Sequence, residues 1–272
     1  MYQQEFGNKK GIGYFACGYG PVKSFVKTVY FFQLGHLLID TGSLKTRWMI
    51  PEFTGDKVPT DILVTHFHED HTGNLAYFMR KYGARAYGNE KTVQIMKNGF
   101  ALLPYEKVLF GHADPAEMQV LPARTDFGPY RFRAYHTPGH SHDHTVYHEP
   151  EHGWLFSGDL YVADRIKVWR KAEVLRQQID SLEMLCGLDF DVLACNHNPQ
   201  WTGGRERLRA KLDYFRVFYG QAKSCYEKGL SVSETMKRLS LKENLLLRIM
   251  TGNDVAARHM VQSVYDSESG SV

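Results

Sequence analysis

The stretch Thr65-His66-Phe67-His68-Glu69-Asp70-His71-Thr72-Gly73 constrains this chain more than any other. It places three histidines and an aspartate within six residues, directly after the apolar run Ile62-Leu63-Val64. A short apolar run reads as a buried strand. Helical spacing follows at Leu75, Phe78, Met79 and Tyr82, and Gly83 stops it. The chain must therefore present imidazole and carboxylate groups together where a strand ends. Neutral imidazole and ionised carboxylate suit zinc and similar divalent ions. A polar surface loop has no physical reason to repeat histidine at this spacing.

Three more ligand-type residues stand at strand ends further along. Tyr130 to Tyr135 alternates as a half-buried strand, and Pro138-Gly139 turns the chain to project His140. Asp159 follows the run Trp154-Leu155-Phe156, and His197 follows Phe190 to Ala194. The order His-x-His-x-Asp-His, then His, then Asp, then His resembles the metallo-β-lactamase superfamily. The likeness is strongest to its glyoxalase II-like branch of metal-dependent hydrolases, and it spans about residues 37–204.

The resemblance implies an α/β fold, a four-layer αβ/βα sandwich, with two divalent metal ions. His66, His68 and His140 would hold one ion, Asp70, His71 and His197 the other, and Asp159 would bridge them. Zinc is the expected ion, and iron and manganese accept the same ligands. Asp70 would help orient a metal-bridging hydroxide, the nucleophile. Asp40, at the end of Leu37-Leu38-Ile39, would hydrogen-bond beneath the metal loop. One departure stands out. The glycines expected on either side of the last histidine are Asn196 and Asn198. Asparagine tolerates left-handed backbone, so the turn is expected to survive.

Strand and helix signals alternate through the first half, which independently argues an α/β class. Val26 to Gln33 and Leu37 to Ile39 read as a hairpin, Ala84 to Tyr87 as a strand, and Glu90 to Lys97 as a helix. Between Phe100 and Phe127, three prolines leave only strand-like pieces around Val108 and Val120, with His112 at the surface. His142 and His144 read as structural, and Asp143 as the acceptor that orients a ligand imidazole. A second hairpin, Thr145–His148 with Trp154–Phe156, is expected to turn His148 and His152 to solvent. Cys195 reads as a core residue.

Tyr161 to Lys171 starts at a proposed ligand, so it is expected to wall the site. Its Arg165, Lys167, Arg170 and Lys171 would suit an anionic small molecule, with a solvated basic loop as the alternative. Tyr161 and Arg165 are the candidate substrate contacts. Beyond Gly203-Gly204 the texture turns helical, over 205–228, 231–247 and 253–265. Ser231 and Glu234 have capping-box spacing, and Asn253 can cap the last helix. The organisation expected is a catalytic core over 1–204, a helical appendage over 205–266, and a disordered tail over 267–272. The appendage packs on the core, covers the site, or pairs with a second copy as a homodimer.

Composition excludes several classes. With 43% hydrophobic and 23% charged residues, the chain can build an ordinary globular core. A net charge of +3 is too small to argue for nucleic acid or a membrane surface. No stretch approaches the roughly eighteen apolar residues of a membrane span. The first ten residues lack the apolar run of a secretory signal. The four cysteines show no C-x-x-C spacing, so a reducing, cytoplasmic setting is expected. The leading expectation is a hydrolase of a small ester, thioester or lactone. A metal-dependent phosphodiesterase or nuclease and a metal-retaining sensor are the alternatives. Only 37 residues separate Asp159 from His197, which leaves no room for the large insertion of RNA-processing relatives. No basic tract interleaved with aromatics is present either.

Overall fold

The computed structural model describes residues 1–20, 27–122 and 124–271. The first half contains β1 (Tyr2–Lys9), β2 (Ile12–Tyr19), β3 (Lys27–Leu34), β4 (Leu37–Ile39), β5 (Asp61–Leu63), α1 (Glu69–Thr72), α2 (Leu75–Tyr82), β6 (Arg85–Gly88), α3 (Glu90–Asn98), α4 (Pro104–Leu109) and β7 (Gln119–Val120). The second half contains β8 (Arg124–Phe127), β9 (Tyr130–His136), β10 (Thr145–Glu149), β11 (Trp154–Gly158), α5 (Leu175–Cys186), β12 (Val192–Cys195), α6 (Gly204–Glu227), α7 (Val232–Arg238), α8 (Leu245–Met250) and α9 (Arg258–Ser269). The strands form two sheets, one in the order β1 to β7 and one in the order β12-β11-β10-β9-β8.

Side-chain alternation makes four layers from these elements, because successive strand residues point to opposite faces. Ile39 of β4, Phe32 of β3, Phe156 of β11 and Ala194 of β12 meet in the core between the sheets. Their neighbours Leu38 and Phe31 face a second core shared with Leu75 and Phe78 of α2. Leu155 and Leu193 face a third, built with α5, α6 and α9 through Ile179, Leu212 and Val261. Helix-sheet-sheet-helix is thus the result of strands buried on both faces.

Two parallel pairs position the site. β4 and β5 run parallel with Ile39 opposite Leu63, so the residues that follow them emerge side by side. β11 and β12 run parallel with Phe156 opposite Ala194. All four strands end at the same edge of the sandwich, and Asp40, His66, Asp159 and His197 follow those ends.

Several expectations are corrected. No element is read before Val26, yet β1 and β2 pair over their full lengths. β1 is exposed at every residue, so it carries no burial pattern to read. Lys10 and Gly11, at φ 56° and 87°, make the tight turn between them. Val26, the expected start of β3, lies outside the described residues, as does Val272. The region around Val108 is helix α4, with Pro104 at its first position and the Glu106 carboxylate accepting from the Leu103 N–H at 2.7 Å.

The expected helix 231–247 is two helices. Ser231 caps α7 as its spacing implies, but Ser240 takes a left-handed φ of 54° and breaks the run. Asn244 then caps α8 by accepting from the Leu247 N–H. Asn253 does not cap the last helix: at φ 67° it sits past the end of α8, where its N–H reaches the Arg248 carbonyl. The tail expected to be disordered from 267 is helical to Ser269. His148 is buried, not solvent-facing, because helices cover the outer face of β10; its Nε2 meets the Asp189 carbonyl at 2.9 Å. His152 is exposed as expected. Among the described residues no helix is long and apolar enough to cross a membrane.

Candidate metal centre

Backbone geometry brings the ligand residues together before any side chain is considered. Asp40 directly follows β4 and takes a left-handed φ of 59° while fully buried. Its carboxylate accepts from the Thr65 N–H and Oγ1 at 2.8 Å each, from the Asn196 amide at 2.8 Å, and from His71 Nδ1 at 2.8 Å. Four donors from three segments meet one carboxylate, which ties the ends of β4, β5 and β12 together. Asp40 therefore lies beneath the metal loop as expected. Gly73 closes the loop, because a Cβ there would lie 2.5 Å from the Leu44 nitrogen and 2.6 Å from the Glu69 carbonyl oxygen.

Three imidazoles converge first. His66 Nε2 and His140 Nε2 lie 3.0 and 3.1 Å from His68 Nδ1. At Zn–N distances of about 2.0 Å, tetrahedral ligand atoms stand roughly 3.3 Å apart. His66, His68 and His140 thus hold nearly the spacing one ion needs. The Thr65 hydroxyl, itself donating to Asp40, is 3.0 Å from His66 Nδ1, which fixes that ring with Nε2 inward.

Beside this trio lies a set richer in carboxylate. His197 Nε2 is 3.2 Å from Asp159 Oδ2 and 3.5 Å from Asp70 Oδ2. His71 Nε2 is 3.4 Å from Asp159 Oδ1 and 3.9 Å from Asp70 Oδ1. His197 Nδ1 donates to the Thr28 carbonyl at 3.2 Å, so its Nε2 also points inward. Asp159 touches both sets, since its Oδ2 is 3.6 Å from His140 Nε2. His66, His68 and His140 form one group able to hold an ion, His66, His71 and Asp159 another, and Asp70, His71 and His197 a third.

The donor set fits a divalent metal. His71 Nε2 and Asp159 Oδ1 are buried without a hydrogen-bond partner among the described residues. Buried polar atoms of this kind require a satisfying group. The electrostatics agree. Burial and the neighbouring imidazoles hold His66 well below the ordinary imidazole range, and burial with the Arg170 charge does the same to His68. Burial opposes charge on His71 and His197, but Asp159, Asp40 and Asp70 hold His71 well above that range, and Asp159 and Asp70 do so for His197. The carboxylates demand a cation, and protons on these two rings supply one.

The profile of the Metallo-beta-lactamase superfamily matches residues 28–219. The chain belongs to the metallo-β-lactamase superfamily. An atrochrysone carboxyl ACP thioesterase of Aspergillus novofumigatus is 32% identical over 127 residues, 45% of this chain and 34% of that protein. A hydroxyacylglutathione hydrolase of Bradyrhizobium is 26% identical over 162 residues, 56% of this chain and 57% of that protein. The chain thus spans between about a third and three fifths of the length of these two curated relatives. Among solved structures, a β-lactamase domain protein from Burkholderia ambifaria aligns over 97% of this chain and 89% of its own, with TM-score 0.67 and 17% identity. That likeness is one of fold.

Within this metallo-β-lactamase site, several residues take roles other than those expected. Asp143 reaches no imidazole. Its Oδ2 accepts from the Phe67 N–H at 2.9 Å and from Thr92 at 2.8 Å, so it anchors the loop backbone between two ligands. Tyr161 turns away into the core, where its hydroxyl donates to Asp164 at 2.7 Å. Arg165 is exposed and lines a cavity of ≈ 370 Å³ beside His140 and Asp159, as a wall residue should. Arg170 is held instead by Glu106 and Asp254. His144 is structural: its Nδ1 meets the Thr137 hydroxyl at 2.8 Å, and its Nε2 accepts from the Asp159 N–H at 3.1 Å. Gly158 permits this, because a Cβ there would lie 2.6 Å from His144 Nε2.

Asn196 and Asn198 also correct the expectation, since neither takes a positive φ. Asn196 instead uses its side chain, which donates to Asp40 and the Tyr30 carbonyl, both at 2.8 Å. Three further residues escape sequence reasoning. Glu69 is buried with both oxygens unpartnered among the described residues, and burial with Asp70 nearby pushes its carboxyl up to about 8. Glu173 Oε1 lies 3.7 Å from His140 Nδ1. Lys211, on α6, is 2% exposed and lines the cavity. Its position does carry a signal, because it falls within the apolar stripe Leu208, Leu212, Phe215.

Proposed function

We propose that this protein is a dinuclear metal-dependent hydrolase of small thioesters or esters, lactones included, working in the reducing cytoplasm. The observation that carries the reading is Asp159, whose two oxygens address His71, His197 and His140 at once. A carboxylate so placed serves two ions. His66, His68 and His140 hold one, and Asp70, His71 and His197 hold the other. Members of the superfamily bind divalent metals, typically zinc, and zinc is the ion we assign. Bound there, such ions would lower the pKa of a coordinated water and polarise a carbonyl oxygen.

The chain's own residues supply the order this chemistry needs. Asp40 keeps the His71 proton on Nδ1 and its Nε2 toward the ions. His144 holds the Asp159 backbone, and Asp143 holds the loop at Phe67. Asp70 carries the catalytic role, accepting a hydrogen bond from the attacking water and fixing its direction. Acyl chemistry is favoured over phosphodiester chemistry because the relatives named above are a thioesterase and a hydroxyacylglutathione hydrolase. Four buried free cysteines support the reducing compartment.

The test is a rate comparison on zinc-loaded protein, with a small acyl thioester and a chromogenic phosphodiester as substrates and Asp70→Ala as blank. Asp70-dependent thioester cleavage is the expected result. A faster Asp70-dependent rate on the phosphodiester overturns the acyl assignment.

A further inference from the structure

Four cations line the cavity beside His140 and Asp159: Arg165, Lys167, Arg170 and Lys211. They are not equivalent. Arg165 and Lys167 stand at the solvent rim, where water screens them. Arg170 is already neutralised by Glu106 and Asp254. Lys211 is buried and has no carboxylate bonded to it among the described residues. Its ammonium donates to the Leu160 carbonyl and lies 4.9 Å over the Phe215 ring. An ammonium has three N–H donors, and the Leu160 carbonyl takes one of them.

A buried cation without an anion is costly, and chains keep one where a ligand completes it. Burial lowers this lysine, to about 8, while Glu173 and Asp159 pull it up. The position is delivered by tertiary structure. α6 follows the catalytic layers, and its apolar residues Leu208, Leu212 and Phe215 seat it against the second sheet. That seating drives the one charged residue of the stripe into the floor of the cavity next to the residue after Asp159.

We propose that Lys211 is a specificity-determining residue, whose ammonium binds a carboxylate of the substrate while the metal centre holds the group being cleaved. This rests on the metal-dependent reading above and narrows it to anionic substrates. A dry ammonium discriminates a carboxylate from its neutral amide far better than the exposed rim cations can, because the local dielectric is low.

The test does not use turnover. 3-Mercaptopropionate and 3-mercaptopropionamide both offer a thiol to the metal, and only the first offers a carboxylate. Their affinities for zinc-loaded protein are measured by calorimetry, with zinc content assayed in every sample. The wild type is expected to prefer the acid by roughly tenfold to a hundredfold. Lys211→Met should abolish that preference with zinc content unchanged, and Lys211→Arg, which keeps the charge if Met does not fold, should retain part of it. An equal affinity for acid and amide in the wild type overturns the proposal, as does a preference that survives in Lys211→Met. Either result leaves the hydrolase assignment standing, whereas failure of both thiols to bind while zinc is present counts against the metal centre itself.

Discussion

The two halves of the metal centre share Asp159 and differ in everything around it. His66 and His68 face mostly other imidazoles and are held well below the ordinary imidazole range, while His140 beside them also meets Asp159 and Glu173. His71 and His197 face Asp40, Asp70 and Asp159 and are held well above it. Desolvation alone would push His66, His68, His71 and His197 the same way. The difference is therefore made by charged neighbours. His66 and His68 are neutral donors ready for a cation, and the other half is an anionic cradle whose rings hold protons until a cation displaces them.

Removing the shared residue breaks both halves. Asp159→Ala should lower turnover by at least about a hundredfold and reduce metal content, since it deletes a ligand to both ions. Activity assays with elemental analysis check this, and full stoichiometry in the variant counts against a bridging role.

Asp40→Asn should break the halves unequally. It keeps the size of the side chain but gives His71 a weaker acceptor, so affinity at the carboxylate-rich half should fall about 10–100-fold. The imidazole trio should change much less. Stepwise zinc titration reads the two affinities, and an equal loss in both would show that Asp40 acts on the loop as a whole.

Proton release sharpens the contrast. Loading the second half must displace the protons of His71 and His197, whereas His66 and His68 are held neutral. Calorimetry in buffers of different ionisation enthalpy should show the larger release at the carboxylate-rich half. Affinity at that half should fall as pH is lowered toward and below 6.5, because protons then compete more strongly with the ion. Release at neither step would refute the charge assignment.

The smallest effect is expected from Glu173→Gln. The Glu173 carboxylate lies 3.7 Å from His140 Nδ1, too far for a firm hydrogen bond. The trio should lose less than about tenfold in zinc affinity, and the other half should not respond.

The candidate ligands are legible in the sequence because several stand just past a strand end, as His66, Asp159 and His197 do. Such ligands travel with a pattern that period and turn chemistry already reveal. The supporting residues are less legible, because their partners are remote. Asp143 was assigned to an imidazole by proximity in sequence, yet it bonds Phe67, 76 positions away, and Thr92. Asn196 was read for its backbone tolerance, and the structure uses its side chain on Asp40. β1 left no trace, since an edge strand exposed on both faces has no alternation. Asn253 was assigned to a helix start and lies past a helix end, because asparagine serves both positions and only the path of the chain separates them.

Local sequence determined which histidines and aspartates are candidate ligands, their order along the chain and the alternation that makes four layers. These depend on residue type and on spacing of a few positions, where covalent geometry dictates which side chains share a face. Tertiary structure alone decided which carboxylates face which imidazoles, and so which rings hold protons. It also decided that Lys211 of α6 lines the cavity, and that Tyr161 does not. Charge and burial are sums over neighbours brought together from distant segments, and those sums exist only once the two sheets and their helices have packed.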